Sequence, residues 1–254
     1  MPLTARPATV IVLAGAMLLA GCASNRPTPD PGALPTGAPP QVAASLQAIT
    51  KASGPATAAS LWLADAPDRR FTYTINGETH EVVRRVETAR DGTGTVSWVD
   101  AGSGTLRSSQ IVIDGADGAL VSPQSTNIDR GVVSRFRPPL TVLDGSMAAG
   151  EPSSQKVEVL VADADRPGRI KHRGSATSTI EFAGHSTIEA AGRTITCAVI
   201  RSTFDATFGP AVVHRVAHQW FEPGAGLIAE YAHEQVRTFG IQTDDRHESW
   251  IAAE

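Results

Sequence analysis

Phe71-Thr72-Tyr73-Thr74-Ile75-Asn76-Gly77-Glu78-Thr79-His80-Glu81-Val82 (FTYTINGETHEV) is the stretch whose reading decides the fold. Phe71, Tyr73 and Ile75 alternate with Thr72 and Thr74, the period of a half-buried strand. Asn76-Gly77 is the dipeptide favoured at the centre of a type I′ hairpin turn, where both residues take positive φ. The chain should therefore reverse and return as a strand over Val82–Thr88.

Working outward, the same pattern repeats at hairpin-like intervals. Strands are expected at Thr95–Asp100, Leu106–Ile113, Val132–Phe136, Lys156–Val161, Thr177–Phe182, Arg193–Phe208, Val212–Phe221 and Leu227–Phe239. Asp91-Gly92, Asp114-Gly115, Asp117-Gly118, Pro167-Gly168, Gly192 and Gly209-Pro210 supply turn chemistry between them. No long helical period separates the strands, which argues against parallel βαβ units. The expected fold is mainly β, an antiparallel meander forming a curved sheet or partly open β-barrel. A short N-terminal helix should precede it, because Val42, Leu46 and Ile49 recur at helical spacing within Gln41–Lys51 before Gly54-Pro55 stops the pattern.

Upstream of that helix the chain changes character. Arg6 gives positive charge, and Ala8–Ala20 is an apolar run without ionisable side chains. A membrane-spanning helix takes about 20 apolar residues, so this shorter run fits the apolar region of a signal peptide. It ends in Leu19-Ala20-Gly21-Cys22, which resembles the lipobox of bacterial lipoproteins. The resemblance implies a diacylglycerol on the Cys22 sulfur, cleavage before Cys22, and acylation of the freed amine. Each buried CH₂ contributes about 0.8 kcal/mol, so two or three acyl chains anchor firmly where one would not. Residues 22–40 are rich in proline and poor in apolar side chains, and read as an extended tether. The expected organisation is thus a signal peptide over 1–21, a tether over 22–40 and one β-rich envelope domain over 41–254. By resemblance to enterobacterial sorting, Ala23 after the lipidated cysteine points to the outer membrane, with the domain facing the periplasm.

Composition narrows the partners. The net charge of −4 and the absence of a Lys/Arg block argue against nucleic acid. Aromatic residues make up 5% of the chain, which leaves few stacking platforms for sugars or bases. Of the two cysteines the lipid would consume Cys22, leaving Cys197 without an intrachain partner. Cys197 sits in the alternating stretch Ile195–Val199 with no cationic neighbour to lower its pKa, the setting of a small core residue rather than a nucleophile.

Thr187-Ile188-Glu189-Ala190-Ala191-Gly192-Arg193-Thr194, followed by a long strand and Trp220-Phe221-Glu222-Pro223-Gly224-Ala225-Gly226-Leu227-Ile228, carries a second resemblance. It is similar to a group of uncharacterised secreted bacterial β proteins with a W-[YF]-x-P-G-x-G-L-[IV] hairpin. Those resemble in turn the half-barrel that carries lipoproteins across the periplasm, which implies a curved sheet with a hydrophobic concave face. If the loop of this hairpin is Glu222–Ala225, Trp220 opposes Leu227, His218 opposes Ala229, Val216 opposes Tyr231 and His214 opposes His233, all on one face.

The candidate chemistry is sparse. An opposed His214–His233 pair needs further ligands to hold zinc, and His214 and His218 lie about 13 Å apart on a strand, too far to share one ion. The expectation is that no metal and no cofactor is bound. Asp163-Ala164-Asp165-Arg166-Pro167-Gly168 starts like a calcium loop, but Pro167 interrupts it and Gly174 stands where the bidentate glutamate belongs, so it reads as an acidic turn. Gly184-His185-Ser186 lacks the rest of G-x-S-x-G. Asp244-Asp245-Arg246-His247-Glu248 reads as a solvated surface run. No catalytic set assembles, so the chain reads as a non-enzyme. Two functions remain: a binding module holding a lipid or other apolar ligand on the inner face of the sheet, or an accessory lipoprotein docking to an envelope complex. An apolar cavity would favour the first, and a packed interior with an exposed apolar patch the second.

Overall fold

The computed structural model describes residues 38–52, 54–62 and 68–253. Cys22 and the segments read as signal peptide and most of the tether lie outside the described residues. Two helices, α1 (Pro40–Gln47) and α2 (Ala58–Leu61), precede twelve strands. These are β1 (Arg69–Ile75), β2 (Glu78–Thr88), β3 (Gly94–Asp100), β4 (Leu106–Asp114), β5 (Leu120–Asn127) and β6 (Val132–Leu143). They continue as β7 (Pro152–Asp163), β8 (Arg166–Ala190), β9 (Arg193–Phe208), β10 (Ala211–Glu222), β11 (Gly226–Thr238) and β12 (Ile241–Ala252). Every strand pairs antiparallel with its neighbours in sequence, and β12 returns to β1 to close a barrel. The protein is mainly β, and the meander goes beyond a curved or partly open sheet to full closure. No helix among the described residues is long and apolar enough to cross a membrane.

The opening hairpin forms as its sequence dictates. Ile75 faces Glu78 across Asn76 and Gly77, whose φ values are 47° and 89°. Two strands were not expected from the sequence, β5 and β12. The second of these is the acidic run read as solvated surface: Phe71 pairs with Ala252 and Ile75 with Glu248, so that run supplies the closing strand. Closure leaves no edge with unpaired backbone N–H and C=O groups. The turn between β7 and β8 lies at Ala164-Asp165, not at Pro167-Gly168, and β8 runs on through both of those residues.

The register of the Trp220 hairpin differs from the expectation. Glu222 pairs with Gly226 around a three-residue loop, and a bulge between Trp220 and Phe221 leaves Ile228 as the extra residue. Phe221 therefore opposes Leu227, Trp220 opposes Ala229, His218 opposes Tyr231, and Val216 opposes His233. His214 faces Gln235, so the His214–His233 pair does not exist. Counting from loop ends misses a bulge, which adds one residue to one strand and shifts everything beyond it.

The barrel has two apolar layers. Outside, α1 buries Val42 against Ile188, Ile195, Cys197, Val199 and Trp220. Trp220 is fully buried, but under α1 and not beside Leu227, which packs in the other layer. Its Nε1 donates to Ser45 Oγ at 2.8 Å, and Ser45 Oγ lies 2.8 Å from Ser186 Oγ, so the indole joins helix to barrel. Beyond α1 the chain lies against β8, where Thr50 and His185 exchange backbone hydrogen bonds of 2.8 and 3.0 Å. Inside, α2 places Ala58 and Leu61 among Val96, Val112, Ile200 and Phe221, filling part of the barrel interior. Thr57 caps α2 by accepting from the Ser60 backbone N–H, and Ser60 Oγ accepts from the Thr57 N–H in return.

Candidate functional site

The rest of the interior is a cavity of about 520 Å³, with a polar lining from Ser108, Gln110, Ser125 and Asn127 on β4 and β5 and two further walls of unlike character. One wall comes from β6, β7 and β9, where Phe136, Val159, Val161 and Phe204 face inward by strict alternation. The other comes from β10–β12, where the inward positions are polar: Arg215 and Gln219, Glu230 and Glu234, and Glu248. Ala217 and Ala232 oppose each other between these side chains, and their small size leaves room for them.

Arg215 is the centre of the polar wall. Its Nη2 donates to Glu230 Oε1 at 2.8 Å, and its Nη1 lies 3.5 Å from Glu248 Oε2 and 3.9 Å from Glu234 Oε2. Burial alone would lower the Arg215 pKa, but the three carboxylates reverse that and hold the guanidinium above its ordinary value. Glu234 also accepts from Arg130 Nη2 at 2.6 Å, and Gln219 Nε2 donates to Glu230 Oε2 at 2.8 Å. Arg130 comes from the β5–β6 turn, so this contact ties one side of the barrel to the other. Two of the carboxylates, Glu234 and Glu248, are buried. Charges so placed lose hydration that only close pairing offsets.

At the end of the ionic wall away from β9, Tyr73 stacks on Trp250 with ring centroids 3.8 Å apart, and Trp98 lies 4.4 Å from Trp250. Arg107 sits over the Tyr73 ring at 5.2 Å and pairs with Asp129 at 3.0 Å. The chain has few aromatic residues, but it concentrates them here. Their grouping could not be read from a composition, because they come from three separate strands.

The sequence-derived candidates are dispersed. Cys197 is fully buried, and burial pushes its thiol up to about 12, the behaviour of a packing residue. Asp163 pairs with Lys171 at the β7–β8 turn, so the D-x-D stretch is an acidic hairpin turn. His214 Nδ1 lies 2.6 Å from Asp205 Oδ1 on the outer face. His218 is half-buried with Nδ1 shielded and unpartnered, and burial followed by the Arg201 charge lowers its pKa to about 4. His233 stacks on His247, its cross-strand partner, with centroids 4.2 Å apart and planes 8° apart. Its Nε2 lies 2.6 Å from Asp245 Oδ1, and His247 Nε2 lies 3.8 Å from the same oxygen. Asp245, His247 and Glu248 were missed as site residues because their strand carries charge on both faces. The one signal available was Glu248-Ser249-Trp250-Ile251, where apolar side chains re-enter.

No protein-family model matches the chain. No curated protein matches it either. Among solved structures it is similar to the hypothetical lipoprotein YmcC from Escherichia coli, at 12% identity over 75% of this chain and 90% of that one, with a TM-score of 0.41. It is also similar to a protein from Bacteroides fragilis with a YmcC-like fold, at 11% identity over 76% and 97%, with a TM-score of 0.43.

Proposed function

We propose that this chain is a lipid-anchored envelope lipoprotein whose barrel holds an amphipathic ligand. The anchor reading rests on Leu19-Ala20-Gly21-Cys22: residues 1–21 are removed, Cys22 is acylated, residues 22–40 are the tether, and residues 41–254 are the envelope domain, at the outer membrane on its periplasmic side. The ligand reading rests on one observation, the cavity of about 520 Å³ whose lining includes both an apolar wall and an ionic one. Ligand cavities of about 300–1,000 Å³ are the usual size for small molecules. An acyl chain or other apolar group fits against Phe136, Val159 and Phe204. Its polar end meets Gln219, Arg215 and Glu230, which offer both donors and acceptors. A purely apolar ligand, the occupant expected for a hydrophobic concave face, would strip water from those groups and offer them no hydrogen bond in return.

Full-length protein extracted from its own membranes tests both parts. Native mass spectrometry should show one bound amphiphile, recoverable by solvent extraction, and Ala217→Trp should eject it by filling the cavity. Metabolic labelling with a fatty-acid analogue should mark the wild type and not Cys22→Ser. A protein that carries no adduct, and whose Ala217→Trp variant keeps its melting temperature, would remove the ligand reading and leave the anchor.

The accessory reading has one observation in its favour. Phe239 and Ile241 are 76% and 70% exposed at the β11–β12 turn, beside Val212 at 45%. Three side chains fall well short of the about 20–30 residues a side of a stable interface.

A further inference from the structure

We propose that the outer face of β11 and β12 carries a zinc-class divalent cation site made by His233, Asp245 and His247. The three ligand atoms lie within 4.8 Å of one another. The strands bring them together. His233 and His247 are a directly opposed cross-strand pair, and Asp245 precedes His247 by two residues, so all three project from one face. Both imidazoles turn Nε2 toward the same carboxylate oxygen, at 2.6 and 3.8 Å.

These separations suit a metal. Zinc–nitrogen and zinc–oxygen bonds of about 2.0–2.1 Å at tetrahedral angles put ligand atoms about 3.3 Å apart. The two histidine–carboxylate distances bracket that value, and the two stacked imidazoles must tilt out of parallel for both Nε2 lone pairs to reach one ion. The other atoms of the ligands are already held. His247 Nδ1 lies 2.8 Å from Tyr231 Oη, and Asp245 Oδ2 accepts from Gln242 Nε2 at 2.8 Å. A metal on Nε2 requires the Nδ1–H tautomer of His247, and Tyr231 Oη is placed to accept that proton. Tyr231 is buried and its phenol is raised to about 12, so it remains a neutral hydroxyl. The side chains of His233, Asp245 and His247 are 30%, 42% and 31% exposed, which leaves the fourth position open to water or to a donor from another molecule. Two histidines and one carboxylate select a borderline divalent ion such as Zn²⁺ over Mg²⁺ or Ca²⁺, which prefer oxygen alone.

The test is titration of chelator-stripped, full-length protein in detergent with Zn²⁺, read by competition with a chromophoric chelator and by elemental analysis after desalting. One equivalent should bind with micromolar affinity or tighter, and Mg²⁺ at the same concentration should not compete. Asp245→Asn and His247→Ala should each weaken binding about tenfold or more, and Tyr231→Phe about tenfold. His214→Ala, next to Asp205 on the same face, should bind as the wild type does. Circular dichroism of each variant establishes that it is folded, and His233→Gln repeats the test with a bulk-conserving change. Less than half an equivalent bound, or equal affinity in the wild type and the folded ligand variants, overturns the proposal.

Discussion

Trp220 shows what a single side chain contributes here. It is fully buried on the outer layer, and its indole N–H reaches Ser45 on α1. Truncation to alanine should cost about 3–5 kcal/mol, as aromatic-to-alanine changes in cores do. Trp220→Phe keeps most of the apolar contact but loses the hydrogen bond, and should cost about 1 kcal/mol beyond the lost volume. Urea denaturation of both variants checks this, and a Trp220→Phe midpoint equal to that of the wild type would show that the indole N–H has no energetic role. That Trp220 lies in a strand was legible from the sequence. Its neighbour across the hairpin was not, because a bulge leaves no trace in a two-residue period. Arg215 was illegible for a related reason. An arginine within a strand normally marks an outward position, and only the opposing glutamates of two other strands make an inward one tolerable.

Among the elements, β8 is the most exacting. At Gly184 it takes φ 134°, and a Cβ built there would lie 2.2 Å from the Thr50 carbonyl oxygen. The register with β9 also shifts at this point, between Phe182 and Gly184. The glycine thus permits the bulge and the close approach of the segment after α1 together. Gly184→Ala should destabilise the domain by about 2–4 kcal/mol, combining backbone strain with a clash against main chain that cannot rotate away. Gly54→Ala, with open space around its Cβ position, is the control and should be near neutral. A thermal melt that shifts equally for both would show that the approach at Gly184 is not constrained. Gly184-His185-Ser186 drew notice in the sequence for its partial likeness to a hydrolase motif. Its role in the structure is this docking, which depends on a residue more than a hundred positions away. The strands themselves were mostly legible wherever one face is apolar. Neither β5, with Ser122, Gln124, Ser125, Thr126 and Asn127, nor β12, with charge on both faces, offers that contrast.

For the barrel as a whole, the ionic wall is a cross-tie. Arg215 on β10 meets carboxylates from β11 and β12, and Arg130 reaches Glu234 from the turn between β5 and β6. Removing one partner of a buried ionic group typically costs about 3–5 kcal/mol, because the remaining charges are left unpaired. The Arg215 side chain is 29% exposed, so Arg215→Ala should fall below that range, at about 2–3 kcal/mol. The loss should shrink when Glu230→Gln is added, since fewer carboxylates are then stranded. A double-mutant cycle by chemical denaturation measures this, and strictly additive losses would show that the two residues do not interact. The fold class was legible because hairpin signals recur along nearly the whole chain. The polar interior was not, since it arises from side chains that meet only after the sheet has curled.

The seam between β1 and β12 has a consequence for how the molecule is made. Every other joint in the barrel links strands adjacent in sequence, so each can zip as a local hairpin with a small loop-closure cost. The seam alone joins distant segments, Phe71 with Ala252. It can form only after the intervening strands have curled far enough to bring the two together. Until β12 arrives, the growing sheet offers two open edges to any passing chain, a template for misassociation. Exposure of those edges therefore ends only when the carboxyl-terminal strand, β12, is in place.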